Sequence, residues 1–404
     1  MLRSSSRLSN VDYALRGKLL LQAESLKKKN VPIVSLNIGN TEPFGLPIPS
    51  QLQEEMIQYF RQGKGHGYAP SRGIPQAIAA VQEKYKKIDV SVQTEHVFFG
   101  AGVSELARIA MDALLEKDDE VLLPAPCYPV WGAAVALAGG KPVYYLCDEH
   151  AGWHPDIHDI GRKISAKSRA ILVINPNNPT GAVYEKVLLE QLANIAARHQ
   201  LVILSDEIYE GVTYDDVESV PMSMLVKDTL CISFSGLSKI YRAPGLRTAW
   251  MTLSGKTKEI QSFVDGLYLL CSLRLSAPAL PQYVVPSALS TDHGLKSLLQ
   301  SGGRLWEQRE ILMKKLDMIE GLSYVKPKGA FYVFPKLSVN TFNLKDDEQF
   351  CTDFLLKKHV LLIHGKGFAW MHPDHFRIVF LADRITLGKA MDHLTDFLKE
   401  YRQE

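Results

Sequence analysis

Apolar runs of strand length alternate with longer amphipathic stretches through the middle of the chain. The runs fall at 120–123, 143–146, 170–175, 201–205, 230–234 and 248–253, and several are β-branched and apolar throughout. That is the pattern of strands covered on both faces. Between them, Leu106, Ile109, Ala110, Ala113 and Leu114 recur at helical spacing, as do Leu188, Leu192, Ile195 and Ala196, so each set lines one face of a helix. Alternating strand and helix predicts an α/β fold whose mostly parallel sheet carries helices on both sides. Two proline-rich stretches, 42–49 and 276–286, bracket this region. Beyond the second, the pattern predicts a long charged helix over 294–317, a strand pair near 324–335, a helix near 346–358 and a strand at 376–381. This is an α+β unit, and the first 40 residues are expected to share its core. The organisation expected is residues 1–45 as an arm and part of a small domain, 46–285 as a large domain, and 286–404 as the small domain.

Composition narrows the class. With 46% hydrophobic and 22% charged residues among 404, the chain has ample material for a core and is neither disordered nor fibrous. Lys+Arg 46 against Asp+Glu 44 leaves a net charge of +2. No whole-molecule field is then available to draw nucleic acid or an anionic membrane, and any anion must be held by a local site. Cys127, Cys147, Cys231, Cys271 and Cys351 are odd in number, far apart and free of Cys-x-x-Cys pairing; they read as reduced thiols of a cytoplasmic protein. No segment approaches the roughly 18 consecutive apolar residues of a membrane helix. The start, Met1-Leu-Arg-Ser-Ser-Ser-Arg7, is basic but lacks the apolar region of a secretory signal, so a short flexible arm is expected.

Several common chemistries fail on inspection. Gly100-Ala-Gly-Val-Ser-Glu105 begins like a dinucleotide fingerprint, but Glu105 stands where the third glycine belongs. Gly255-Lys-Thr257 resembles the end of a phosphate loop, with Trp250 in place of its first glycine. His154, Asp156 and His158 alternate with no third ligand group beside them, so a loop is favoured and no metal site is expected. Three polar segments remain. Asn175-Pro-Asn-Asn-Pro-Thr-Gly181, Asp206-Glu-Ile-Tyr209 and Ser235-Gly-Leu-Ser-Lys239 each directly follow a predicted strand, and Arg247 comes shortly after the last. Carboxyl ends of neighbouring strands are where open α/β sheets bind ligands.

These segments, with Leu36-Asn-Ile-Gly39, Pro126-Cys-Tyr-Pro129 and His375-Phe-Arg-Ile378, resemble the class I, fold type I aminotransferases that use pyridoxal 5′-phosphate. The likeness runs nearly end to end. Within the family it is greatest toward bacterial enzymes that exchange amino groups between L-glutamate/2-oxoglutarate and L-alanine/pyruvate. Aspartate, aromatic or branched substrates, or C–S lyase chemistry on the same fold, remain alternatives; a non-catalytic cofactor-binding regulator is a weaker one. The resemblance implies a seven-stranded type of sheet in a large cofactor-binding domain, and a homodimer acting on small amino and keto acids. It implies that Lys239 forms the Schiff base with the cofactor and shuttles a proton, and that Asp206 holds the pyridine nitrogen protonated. Asn178 and Tyr209 match the pair on the ring oxygen, and Tyr128 matches the stacking aromatic. Gly102, Val103 and Ser104 at a helix start, with Ser238 and Arg247, match the phosphate cup. Tyr68 matches a tyrosine that completes the cup of a second subunit. Arg377 matches the clamp on the substrate carboxylate, with Gly39 beside it. Tyr13 and Arg16 lie in the segment that covers the entrance in relatives. There Arg16 reads either as a switchable cation for the distal carboxylate of glutamate or as a surface arginine at the start of a helix.

Overall fold

The structure is a computed structural model that describes residues 3–5, 8, 11, 13 and 17–404. Its centre is an eight-stranded sheet: β1 (Val97–Gly100), β2 (Glu120–Ala125), β3 (Lys141–Asp148), β4 (His154–Pro155), β5 (Ser168–Ile174), β6 (Val202–Asp206), β7 (Leu230–Gly236) and β8 (Ala249–Gly255). The spatial order is β1-β8-β7-β6-β5-β2-β3-β4. β7, β6, β5, β2 and β3 pair in parallel, whereas β8 runs antiparallel between β1 and β7. Seven strands make the body of the sheet, and the two-residue β4 adds an antiparallel edge on β3. The six apolar runs all lie in this sheet, with ends displaced by a few residues. β1 has no counterpart among those runs, being only four residues long.

Side chains alternate across the sheet into two separate cores. Leu172, Leu204 and Phe234 face one, with Leu106 and Ala110 of the helix Val103–Leu114. Ile171, Val173 and Ile203 face the other, with Leu189 and Leu192 of the helix Lys186–Arg198. Burial on both faces explains why these strands are apolar throughout.

The C-terminal part differs in two respects from the pattern expected. The charged helix over 294–317 is two helices, Leu295–Leu299 and Arg304–Leu316, parted at Gly302 and Gly303. A side chain at 303 would collide with the backbone of Leu298, so the chain must turn there. The strand pair near 324–335 has displaced ends and a further strand between its two members. Leu322–Ser323 pairs with Lys336–Leu337, while Tyr332–Val333 pairs with Phe376–Val379. Between them, Lys328 and Gly329 donate to the Gly181 carbonyl (2.9 and 2.8 Å) and Ala330 to that of Val212 (2.9 Å), which docks this strap on the loops of the large sheet. Near the N-terminus, Val34–Ser35 pairs in parallel with Val360–Leu361, and Val379 donates to the Leu36 carbonyl. This threads residues 36–39 between the C-terminal strands and the sheet's carboxyl edge.

All five cysteines are buried and unpaired. Among the described residues, no helix is long and apolar enough to cross a membrane. Asp156, within the alternating His154–Asp156–His158 set, caps the helix Ile157–Lys163, accepting from the amides of His158 and Asp159.

Candidate active site

Register aligns the carboxyl ends of the parallel strands. Ile174 lies opposite Asp206, and Asp206 opposite Phe234; Gly236 and Gly100 both face Ala249. The loops leaving β1, β2, β5, β6 and β7, with the entry to β8, therefore converge on one edge. There a cavity of about 540 Å³ opens, lined by charged residues Asp206, Lys239, Arg247 and Arg377. Tyr13, Gly39, Val103, Ser104, Tyr128, Asn178, Tyr209 and Ser238 line it too.

Asp206 ends β6 and is 4% exposed. One oxygen accepts from Trp131 Nε1 (2.9 Å) and the other from the Ile208 amide (3.2 Å). No salt bridge joins it among the described residues. Burial pushes its carboxyl up to about 6 despite these two bonds. A cation facing it would remove that strain.

Lys239 stands three residues beyond the end of β7, and its Nζ donates to the Gly39 carbonyl at 2.6 Å. Burial is the main cause that holds its ammonium below the ordinary lysine range; Arg377 and Arg247 add to it, while Tyr332 and Asp206 oppose. The neutral amine, the nucleophilic form, is thereby more accessible than for an ordinary lysine.

Arg377 is 2% exposed. It donates to Asn178 Oδ1 (2.8 Å) and to the Asn37 carbonyl, and its guanidinium lies over the rings of Tyr332 (4.5 Å) and Phe368 (4.6 Å). Its Nε has no hydrogen-bond partner among the described residues. A buried guanidinium held by neutral groups alone calls for an anion.

The opposite end of the cavity is open. Gly102 caps the helix Val103–Leu114 at φ +90°, and a Cβ there would lie 2.1 Å from Arg247 Nη2. Glycine is required on both counts. Arg247 is exposed and donates to the carbonyls of Pro244 and Ala101 (both 3.0 Å), with no carboxylate against it among the described residues. Ser104 is likewise exposed, at the first turn of that helix. Amides at a helix start, a hydroxyl and an unneutralised guanidinium make a cradle for a dianion.

Tyr13 and Tyr128 meet through their hydroxyls at 3.4 Å. Tyr68, by contrast, is 81% exposed and does not line the cavity of its own chain. Arg16 lies outside the described residues. Two residues that matter here escape the sequence reading. Tyr332 joins Tyr209 hydroxyl to hydroxyl, and Trp131 holds Asp206. Trp131 is only three residues beyond Tyr128, close enough to have been suspected. Tyr332 reaches the cavity only through the docked strap.

A sheet with a lysine, an unpaired carboxylate and an anion cradle at its carboxyl edge defines an enzyme built around a phosphorylated carbonyl cofactor. The family model "Aminotransferase class I and II" matches residues 31–394, and the chain belongs to that family. The glutamate-pyruvate aminotransferase AlaA of Escherichia coli is 42% identical over 403 residues, covering 100% of this chain and 99% of its own. The crystal structure of an aminotransferase from Escherichia coli superposes with a TM-score of 0.98, at 42% identity and complete coverage of both chains. The alanine aminotransferase of Pyrococcus furiosus follows at 0.93, with 37% identity over 98% of this chain and 100% of that one. The cofactor is pyridoxal 5′-phosphate, and three features fit it. The Gly102–Arg247 cradle suits its phosphate, the uncompensated Asp206 its ring nitrogen, and the Lys239 amine its aldehyde.

Proposed function

We propose that this aminotransferase exchanges amino groups between L-glutamate/2-oxoglutarate and L-alanine/pyruvate, as a homodimer in the cytoplasm. The observation that carries the reading is one cavity holding Lys239 with a depressed ammonium pKa, and Asp206 and Arg377 with no salt-bridge partner among the described residues. The 42% identity to a relative named for glutamate and pyruvate supports the substrate pair.

When bound, pyridoxal phosphate supplies an aldehyde that captures amino groups and a ring that accepts the electron pair left at the substrate Cα. The chain's own residues do the rest. Lys239 Nζ would take the proton from the substrate Cα and deliver it across the linking nitrogen to the carbon that was the cofactor's aldehyde, a task suited to an amine disfavoured as ammonium. Asp206 keeps the ring nitrogen protonated, and Trp131 and the Ile208 amide hold that carboxylate in place. Tyr209 and Asn178 serve the ring oxygen, and Tyr128 covers the ring. Gly102, Val103, Ser104, Ser238 and Arg247 hold the phosphate. Tyr68, exposed on its own chain, completes the cup of the second subunit. Its segment is tied down by Ser71, which donates to the Leu275 carbonyl at 2.8 Å. Arg377 clamps the α-carboxylate beside Gly39. Arg16 swings in for the distal carboxylate of glutamate and out for alanine, with Tyr13 packed at the entrance.

The test is spectral. Amino acids are added singly to the yellow holoenzyme and loss of the aldehyde band is timed. Glutamate and alanine should be the fastest donors. Pyruvate release from cysteine-type substrates without loss of the band would favour the C–S lyase reading instead.

A further inference from the structure

Tyr332 is the one buried tyrosine of the cavity that the reading above leaves without a task. It is 2% exposed and arrives on the strap docked to Gly181 and Val212. Its hydroxyl makes a single hydrogen bond among the described residues, to the Tyr209 hydroxyl. The two rings meet edge to face at 5.6 Å, and the Tyr332 ring lies 4.5 Å beneath the Arg377 guanidinium. The same hydroxyl explains Gly39. A Cβ at 39 would fall 2.3 Å from Tyr332 Oη and 3.2 Å from Tyr332 Cζ, a separation that real side chains do not tolerate. The position beside Lys239 is bare because Tyr332 fills it.

A phenol has one proton. If Tyr209 directs its proton into the cavity toward the ring oxygen, the Tyr209–Tyr332 bond must be donated by Tyr332. If Tyr209 donated to Tyr332 instead, it would have nothing left to give a ligand. Tyr332 has no competing acceptor among the described residues, so its proton is available for the first arrangement. A donor behind Tyr209 also strengthens the bond Tyr209 itself donates, because chained hydrogen bonds polarise one another.

We propose that Tyr332 is a positioning residue that fixes the Tyr209 proton toward the cavity while its ring supports Arg377, linking the ring-oxygen and carboxylate ends of the site. The inference rests on the proposed role of Tyr209 toward the cofactor. The groups facing this pair are Tyr128, Lys239 and Arg377, with Asp206 at the far side of the cavity. Burial raises the Tyr209 phenol well above its ordinary range, and Tyr332 adds to the rise, so Tyr209 keeps its proton at neutral pH.

Tyr332→Phe removes the hydroxyl and keeps the ring. The holoenzyme should retain its cofactor and colour, and KM for amino acids should change less than about threefold, because the ring still supports Arg377. The pH midpoint of the visible band of the lysine-bound cofactor should rise by about half a unit or more, since a weaker donor at the ring oxygen leaves the linkage more basic. An unchanged midpoint would overturn the proposal. A second arm needs no cofactor. Gly39→Ala is compared by thermal unfolding of the apoenzyme in the wild-type and Tyr332→Phe backgrounds. The loss in Tm should be smaller in the second, where the colliding oxygen is gone; equal losses would overturn the account of Gly39. If the wild-type band did not titrate at all, the role of Tyr209 would fall and this inference with it.

Discussion

Asp206→Asn in the cofactor-free enzyme isolates the electrostatic cost of the site. The carboxyl is raised from its ordinary 3.8 to about 6, chiefly by burial. A raised carboxyl pKa means that the folded protein binds the proton more tightly than the unfolded chain does. The group's contribution is therefore fully present below about pH 3.8 and is lost as pH rises through 6. The whole loss is about 3 kcal/mol at 1.36 kcal/mol per unit. About half of it is already gone by about pH 5, and nearly all of the rest goes by about pH 8. Asparagine carries no charge and has no such slope. It faces the Trp131 and Ile208 donors with only one acceptor, which costs about 1–2 kcal/mol at every pH. The diagnostic is thus the slope and not the offset. Urea unfolding of both apoenzymes in parallel should show the variant gaining about 1 kcal/mol or more on the wild type between about pH 5 and about pH 8. With cofactor bound, a protonated ring nitrogen faces the ionised carboxylate, and the trend should reverse in favour of the wild type. A difference that stays flat across the range in the apoenzyme would mean that Asp206 ionises normally and that burial has no such effect.

Gly102→Ala places a methyl on Arg247 Nη2 at a φ of +90°; cofactor affinity should fall by at least about tenfold in a fluorescence titration of the apoenzyme. Lys239→Ala should abolish turnover while leaving cofactor bound but removable by dialysis, and any retained turnover would move the chemistry to another amine. Arg377→Ala should raise KM for amino and keto acids about a hundredfold, within the 2–5 kcal/mol typical of truncating a buried charged contact. Amines lacking the carboxylate should lose far less in the same steady-state assay. Arg16→Ala should raise KM for glutamate and 2-oxoglutarate and leave alanine and pyruvate unchanged; equal effects on both pairs would reduce Arg16 to a supporting role.

The large sheet was legible because its central strands are buried on both faces, so apolar runs such as 170–175 and 230–234 have no helical reading. The four-residue strand Val97–Gly100 was not, since so short a run carries too little pattern. Beyond residue 286, local signals compete with tertiary ones. The helical periodicity over 294–317 continues across Gly302 and Gly303, although the backbone cannot. The apolar character of 324–335 is real, but its strand Tyr332–Val333 pairs far along the chain with Phe376–Val379, while Lys336–Leu337 pairs back with Leu322–Ser323. Pairing at that distance leaves no mark in a local window.

The same distinction separates the site residues. Asp206, Asn178 and Lys239 were visible as polar groups directly after strand ends, where a sheet's geometry brings them together. Tyr332 and Gly39 were not visible as a pair, because each is ordinary alone and only their contact gives them meaning.

What the site shares with the composition is its handling of charge. A chain of net charge +2 must bind anions locally, and the described lining of the cavity holds Lys239, Arg247 and Arg377 against a single carboxylate, Asp206. Every acceptor that orients those cations is neutral: the carbonyls of Gly39, Asn37, Pro244 and Ala101, and Asn178 Oδ1. A carboxylate in any of these places would fix the side chain equally well but would consume its charge, and an incoming phosphate or substrate carboxylate would then have to displace it. Neutral acceptors set the geometry in advance and leave the field for the ligand, so little reorganisation remains when the ligand arrives. Asp206 is the mirror case, a carboxylate positioned by neutral N–H donors with its charge left uncompensated. The cost of burying the Asp206 charge uncompensated, about 3 kcal/mol once it is fully ionised, is what a protonated ring nitrogen facing it would offset.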